Sequence, residues 1–291
     1  MSWRSSLALA FALAGCTTTM GRAPRERPEA PTPTPDASSG VPQPPRGRWL
    51  QSMTWIEAEA VLGPETIVVL PLGAAAKEHG PHLLLENDWL LAEYFADRVY
   101  QAADVVIAPI LSYHHYPAFA EYPGSTSLSA ETARDVVVDI VRSLARFGPR
   151  RFYVLNTGIS TVDPLRASAQ VLRAEGILLH FTDIQRIAGP VEARIAEQEG
   201  GTHADEIETS MMLYIAPQTV DMRKAVKDYA PKTRRGFSRT PDGPGHFSKS
   251  GVFGDPTLAT RAKGEQIVEA MVAGILDDLA TLRREKPPKV R

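Results

Sequence analysis

The sequence predicts a three-layer α/β/α sandwich built on a mainly parallel sheet, and three observations carry that prediction. Short runs rich in Val and Ile recur along the chain and are apolar almost throughout, as strands buried on both faces are. Segments with helical spacing separate them, and such alternation builds a parallel sheet with helices on both sides. With 291 residues, 43% of them hydrophobic, the chain is long enough to bury one core of this kind.

The folded part begins near Trp49, and ETIVVLPLG at 65–73 is the first expected strand. NDWLLAEYFADRVYQ (87–101) follows as a helix, then ADVVIAPIL (103–111) as the second strand. SAETARDVVVDIVRSLARFG (129–148) is the next helix, with Ser129 as N-cap, Glu131 in an acidic first turn and Gly148 as a stop. RRFYVLNTG (150–158) and GILLHFTDI (176–184) are the third and fourth strands, with VDPLRASAQVLRAEG (162–176) helical between them. The last long helix spans 263–283. Ligands of parallel sheets bind outside the carboxyl ends of the strands. KEHGPH, YHHYPAFAEYPGST and LNTGIST follow the first, second and third strands, so three polar loops converge on that rim and predict a site there.

Net charge is −2 without a long basic run, which argues against nucleic acid as a partner. No apolar stretch approaches the roughly 20 residues of a spanning helix. The N-terminus, MSWRSSLALAFALAGCTTT, has one positive charge at Arg4 and a short apolar run ending in Leu13-Ala14-Gly15-Cys16. That stretch resembles the lipobox of bacterial lipoproteins. The resemblance implies a signal peptide over 1–15, cleavage before Cys16 and a lipid on its thiol, with the protein on the cell envelope facing the periplasm or exterior. An ordinary signal peptide or a disordered tail are the alternatives. Cys16 is the single cysteine, so no internal disulfide forms. Residues 16–47, rich in Pro, Ser and Thr, have little to bury and make a semi-extended tether. At about 3.1 Å per residue it reaches up to roughly 90 Å from the lipid, and residues 48–291 form the domain.

The motifs PLGAAAKEHGPHLLLEND, YPGSTSLS, VLNTGIST, THADEIETSMML and GVFGDPTLATRAKGE resemble, in order and spacing, those of the creatininase (creatinine amidohydrolase) family over roughly residues 50–285. The resemblance implies an α/β sandwich of metal-dependent amidohydrolases that usually bind two divalent metals and often form hexamers. Its pattern has a Glu two residues before the first His of HGPH, that His, and an Asp nine residues after it. Those positions hold Lys77, His79 and Asp88. A further family His follows the third strand, where this chain has Gly158. The His-Ala-x-x-x-Glu-Thr-Ser element is kept as His203 to Ser210, with Glu208 as its carboxylate.

By that resemblance the missing Glu and His serve mainly one metal, while the Asp bridges the pair. Their joint loss leaves His79, Asp88 and Glu208 as ligands of one divalent metal, Zn, Mn or Fe. Lys77 then stands where the first metal stood, because an Asp deprived of a dication needs a compensating charge in a low-dielectric pocket. Lys77, His203 and Glu208 are the expected catalytic groups.

Each residue also has a plainer reading. Lys77 can face solvent with Glu78 as a salt-bridge neighbour, Asp88 can cap the following helix, and His203 can open a capping-box-like helix start between Thr202 and Asp205. His82 is expected to support its loop, His114 and His115 to line the rim at most, and His180 to be a core or edge residue of its strand. His246 lies in a loop able to cover the site. Two functions follow. The first is metal-dependent hydrolysis of a C–N bond in a small amide, with possible homo-oligomers. The alternative is a non-catalytic small-molecule-binding or scaffold lipoprotein with no metal.

Overall fold

The computed structural model describes residues 44–229, 237–243 and 245–289; the lipobox and nearly all of the tether lie outside these. The main sheet contains β1 (Arg48–Trp49), β2 (Ile67–Leu72), β3 (Val106–Ile107), β4 (Arg151–Asn156) and β5 (Leu178–Phe181). All neighbours are parallel, in the order β1-β3-β2-β4-β5. Helices α1 (Trp55–Val61), α2 (Asn87–Ala102), α3 (Ala130–Ala145), α4 (Val162–Ala174), α5 (Ile184–Ile195), α6 (Glu206–Ile215) and α7 (Arg261–Arg284) complete the sandwich, with a small parallel pair, β6 (Phe237–Ser238) and β7 (His246–Phe247).

The two apolar faces of the strands explain the three layers. Ile67 and Val69 of β2 and Tyr153 and Leu155 of β4 join a core with Leu91, Phe95, Met212, Ile267 and Ile275. Val68, Leu70, Phe152 and Val154, one residue out of phase, pack with Val137, Val141, Leu165 and Leu172 in a second core. Side chains alternate across a strand, so continuous apolar runs load both faces. Each fully buried Val, Leu, Ile or Phe contributes about 1.5–3 kcal/mol relative to exposure. Helices α2, α5, α6 and α7 thus cover one face, and α3 and α4 the other.

Several expected elements differ in extent. The 103–111 run supplies only β3 and an isolated bridge from Leu72 to Leu111; Ala108 N and Leu111 N donate to Val69 O and Pro71 O, so three residues here span two of β2 and the register is interrupted. Ser129 does cap α3, accepting from Thr132 N. Helices α1 and α5 are not signalled by the patterns above; α5 contains Gly189 and Pro190, which obscure its periodicity. The domain is also engaged slightly before residue 48: Gly47 N donates to Tyr100 O at 2.8 Å and Arg46 to Ala102 O at 3.2 Å. No helix among the described residues is long and apolar enough to cross a membrane.

Candidate active site

The loop after β2 carries the chemistry to the carboxyl rim of the sheet. Gly73 ends the strand, and a Cβ there would lie 2.2 Å from Asp88 O. The first turn of α2 therefore packs directly on the strand end, which brings Asp88 back over the loop. Lys77 Nζ lies 2.7 Å from Asp88 Oδ2, and His79 Nε2 lies 2.8 Å from Asp88 Oδ1. Both Lys77 and Asp88 are buried, at 5% and 1% exposure. The ammonium also sits 4.6 Å from the Phe119 ring centroid and 5.7 Å from that of Tyr116, as a cation–π contact requires. Burial opposes ionisation of Asp88, but Lys77 and His79 outweigh it and hold the carboxyl well below the usual range.

From the other side of the molecule, Thr202 and His203 run antiparallel to Phe253 and lead into α6. The helix cap is Asp205, which accepts from Ile207 N and Glu208 N. His203 is therefore not at the helix start, as the capping-box reading placed it; it belongs to the bridge that precedes the helix. Between bridge and helix, Ala204 adopts φ +47°, an uncommon conformation for a residue with a Cβ. This turn directs Ala204 N to Glu208 Oε2 at 2.6 Å. Asn87 Nδ2 donates to the other oxygen, Oε1, at 3.2 Å. Burial opposes ionisation of Glu208 too, but His79, His203 and Lys77 bring its carboxyl below the ordinary value.

The two histidines are held alike. His79 Nδ1 lies 2.8 Å from Lys77 O, and His203 Nε2 lies 2.9 Å from Glu78 O. A ring nitrogen facing a carbonyl carries the hydrogen, which turns the opposite nitrogen to its task. His79 Nε2 is 3.4 Å from Glu208 Oε1, and His203 Nδ1 is 3.5 Å from Glu208 Oε2. Two consecutive backbone carbonyls thus aim two imidazoles at the two oxygens of one carboxylate.

His79, His203 and Glu208 place one donor atom each within 4.8 Å of one another. Bonds of about 2.0–2.2 Å in a tetrahedral site put donors roughly 3.4 Å apart. The imidazole–Glu208 separations have that spacing, whereas the 2.8 Å from His79 Nε2 to Asp88 Oδ1 is shorter than two donors of one such ion stand apart. Two imidazoles and a carboxylate suit Zn or Mn, so the residues fit a divalent ion. Compared with the expected set of His79, Asp88 and Glu208, the structure turns Asp88 to Lys77 and brings in His203.

The remaining candidates lie outside this cluster. His82 Nε2 bonds Thr209 Oγ1 at 2.8 Å, tying the loop to α6, and burial lowers its imidazole to about 4. His115 Nδ1 faces Leu128 O at 2.9 Å, and His114 is fully buried. His180 of β5 pairs with Glu285 at 3.3 Å, and His246 with Asp228 at 3.3 Å. Gly158, at the position of the family His, lies in a turn closed by Asn156, whose Nδ2 donates to Gly158 O at 2.6 Å. Glu78, Asn87, Tyr116 and Phe119 also belong to the site; they lie within the motifs quoted above, but no spacing within those motifs singles them out as inward-facing.

A parallel α/β sandwich with imidazoles and carboxylates gathered on its carboxyl-end loops has the place and the groups for a metal-assisted site. The chain belongs to the creatininase family: the family's profile, described as creatinine amidohydrolase, matches residues 51–279. A creatinine amidohydrolase of Pseudomonas putida is 31% identical over 255 residues, covering 81% of this chain and 96% of the relative. The mycofactocin precursor peptide peptidase of Mycolicibacterium smegmatis is 30% identical over 224 residues, covering 72% and 83%. Among solved structures, a manganese form of creatininase superposes with TM-score 0.69 at 26% identity, covering 82% of this chain and 100% of its own. A zinc–zinc form of a creatininase variant matches similarly.

Proposed function

We propose that the protein is a single-metal hydrolase of a C–N bond in a small amide, with the Lys77 ammonium in place of a second metal ion. The observation that supports this reading most directly is the 2.7 Å pair between Lys77 and the buried Asp88. Charge makes the same point. Counting the ammonium and the carboxylates alone, Lys77 against Glu78, Asp88 and Glu208 leaves a charge of −2, which one divalent ion neutralises. A glutamate at 77, as in the family pattern, would make it −4 and call for two. The change from Glu to Lys equals the charge of one divalent ion. The names of the relatives, an amidohydrolase and a peptidase, support the C–N bond.

His79, His203 and Glu208 would hold the ion, with Asp88 beside them. A divalent ion supplies a Lewis acid that acidifies water and polarises a carbonyl. Glu208 has the most exposed side chain of the cluster, at 16%, and is placed to take a proton from the attacking water and pass it to the leaving nitrogen. Lys77 offers a fixed positive charge to the developing oxyanion, and Phe119, 4.4 Å from the His203 ring, keeps water from that side. Cys16 lipidation and the tether would place this activity on the envelope.

The test is elemental analysis of the purified full-length chain together with a panel of linear and cyclic amides. One zinc or manganese per chain and turnover that is lost in Glu208→Gln are expected. A metal-free, inactive protein that still binds a small amide would overturn the hydrolase reading in favour of a binding protein.

A further inference from the structure

We infer that Glu78 is the positioning residue for His203, fixing which ring nitrogen faces Glu208; its consequence for metal binding rests on the single-metal reading above. Glu78 is buried at 7% exposure, and among the described residues its ion pair is with His203, Oε2 to Nε2 at 3.3 Å. A buried carboxylate without a lysine or arginine calls for specific partners, and Glu78 has them. Its Oε1 accepts from Gly80 N, and its own backbone N donates to Ser125 Oγ at 2.9 Å.

Space is also cleared for it. Gly251, at φ +79°, would carry a Cβ 2.0 Å from Glu78 Oε1. Any side chain there would meet the carboxylate and the left-handed backbone together. The carboxylate is thus held by Gly80 N and His203, its backbone by Ser125, and the absence of a side chain at Gly251 leaves it room.

The consequence falls on His203. Its Nε2 meets two acceptors of the same residue, Glu78 O at 2.9 Å and Glu78 Oε2 at 3.3 Å. The N–H therefore stays on Nε2, and the Nδ1 lone pair points to Glu208. A carboxylate behind a histidine in this way fixes its tautomer and raises its basicity as a ligand. The competing account is local: Glu78 merely satisfies Gly80 N in a tight loop.

The experiment compares full-length wild type, Glu78→Gln, Glu78→Ala, His203→Ala and the Glu78→Ala/His203→Ala double variant. The first readout is ¹⁵N NMR of the His203 ring in chelator-treated protein. Wild type should show Nε2 protonated, and Glu78→Ala, which keeps Glu78 O as the only one of the two acceptors, should show that preference weakened towards Nδ1. The second is Zn²⁺ affinity by chelator competition. It should fall about 10–100-fold in Glu78→Ala, and also in Glu78→Gln, whose amide oxygen can still accept from Gly80 N while its NH2 faces His203 Nε2 and opposes an N–H there. The double variant should bind no more weakly than His203→Ala. Variants that melt earlier but keep the His203 tautomer and the Zn²⁺ affinity would overturn the inference, as would fully additive losses. If Glu78→Ala does not fold, the Glu78→Gln ring spectrum decides. Wild type without Zn²⁺ affinity would remove the single-metal reading, while the ring spectra would still decide the role of Glu78.

Discussion

Removing the Lys77 ammonium should be among the most damaging single changes in the domain. The pair is 2.7 Å long, with side-chain exposures of 6% and 1%, so Lys77→Ala leaves Asp88 as a desolvated carboxylate facing Glu208. Breaking a buried pair from one side costs about 3–5 kcal/mol. At about 2–4 °C per kcal/mol for a domain of this size, the melting midpoint should fall by roughly 6–20 °C. The assay is a thermal melt of the full-length chain at pH 7 with a chelator present, so that a metal ion cannot take the ammonium's place. Adding Asp88→Asn to Lys77→Ala removes both charges and should recover most of the loss, since the penalty lies in the unpaired charge and not in the missing bond. A Lys77→Ala midpoint within about 2 °C of wild type would refute the reasoning, as would a double variant no better than the single one.

Rebuilding the family pattern with Lys77→Glu and Gly158→His should raise metal stoichiometry from one to two, measured by elemental analysis. The nearest atoms a Cβ at Gly158 would meet belong to Thr161, at 3.2 Å, so that side chain has to give way for the histidine; unchanged stoichiometry would count against the ammonium as a metal substitute. Burial lowers the His114 imidazole to about 4, below its unfolded value of about 6.5. Its neutral form therefore stabilises the fold fully above about pH 6.5, and that contribution is lost as pH falls through about 4. At about 1.4 kcal/mol per pH unit the loss approaches about 3 kcal/mol. Denaturant unfolding at pH 7 and 4.5 should show a shallower fall for His114→Gln than for wild type, with His82 keeping part of the slope; parallel curves would refute it. Cys16→Ala should move the protein from the membrane fraction or block its processing, as read by fractionation and intact mass; normal processing with continued membrane attachment would contradict a lipid at Cys16.

The sequence by itself determined the layers and the rim. Continuous apolar runs such as 67–72 can be buried only on both faces, and a strand so buried needs helices on either side, as the two cores around Val68 and Val69 have. It placed Lys77 and Asp88 in one strand-loop-helix unit but left a solvent-facing Lys77 open; the structure decides for their contact, with Gly73 letting the helix pack onto the strand end. What only the tertiary structure decided is which groups face which across the chain. His203 lies 125 residues from Glu78 in sequence, and no periodicity or cap relates them. Their meeting depends on the bridge to Phe253 and on the direction α6 takes after the left-handed turn at Ala204. The convergence of His79, His203 and Glu208, and the inward turn of Glu78, are products of long-range packing. A local pattern fixes a residue's face on its own element; its partner on another element is chosen by how the two pack.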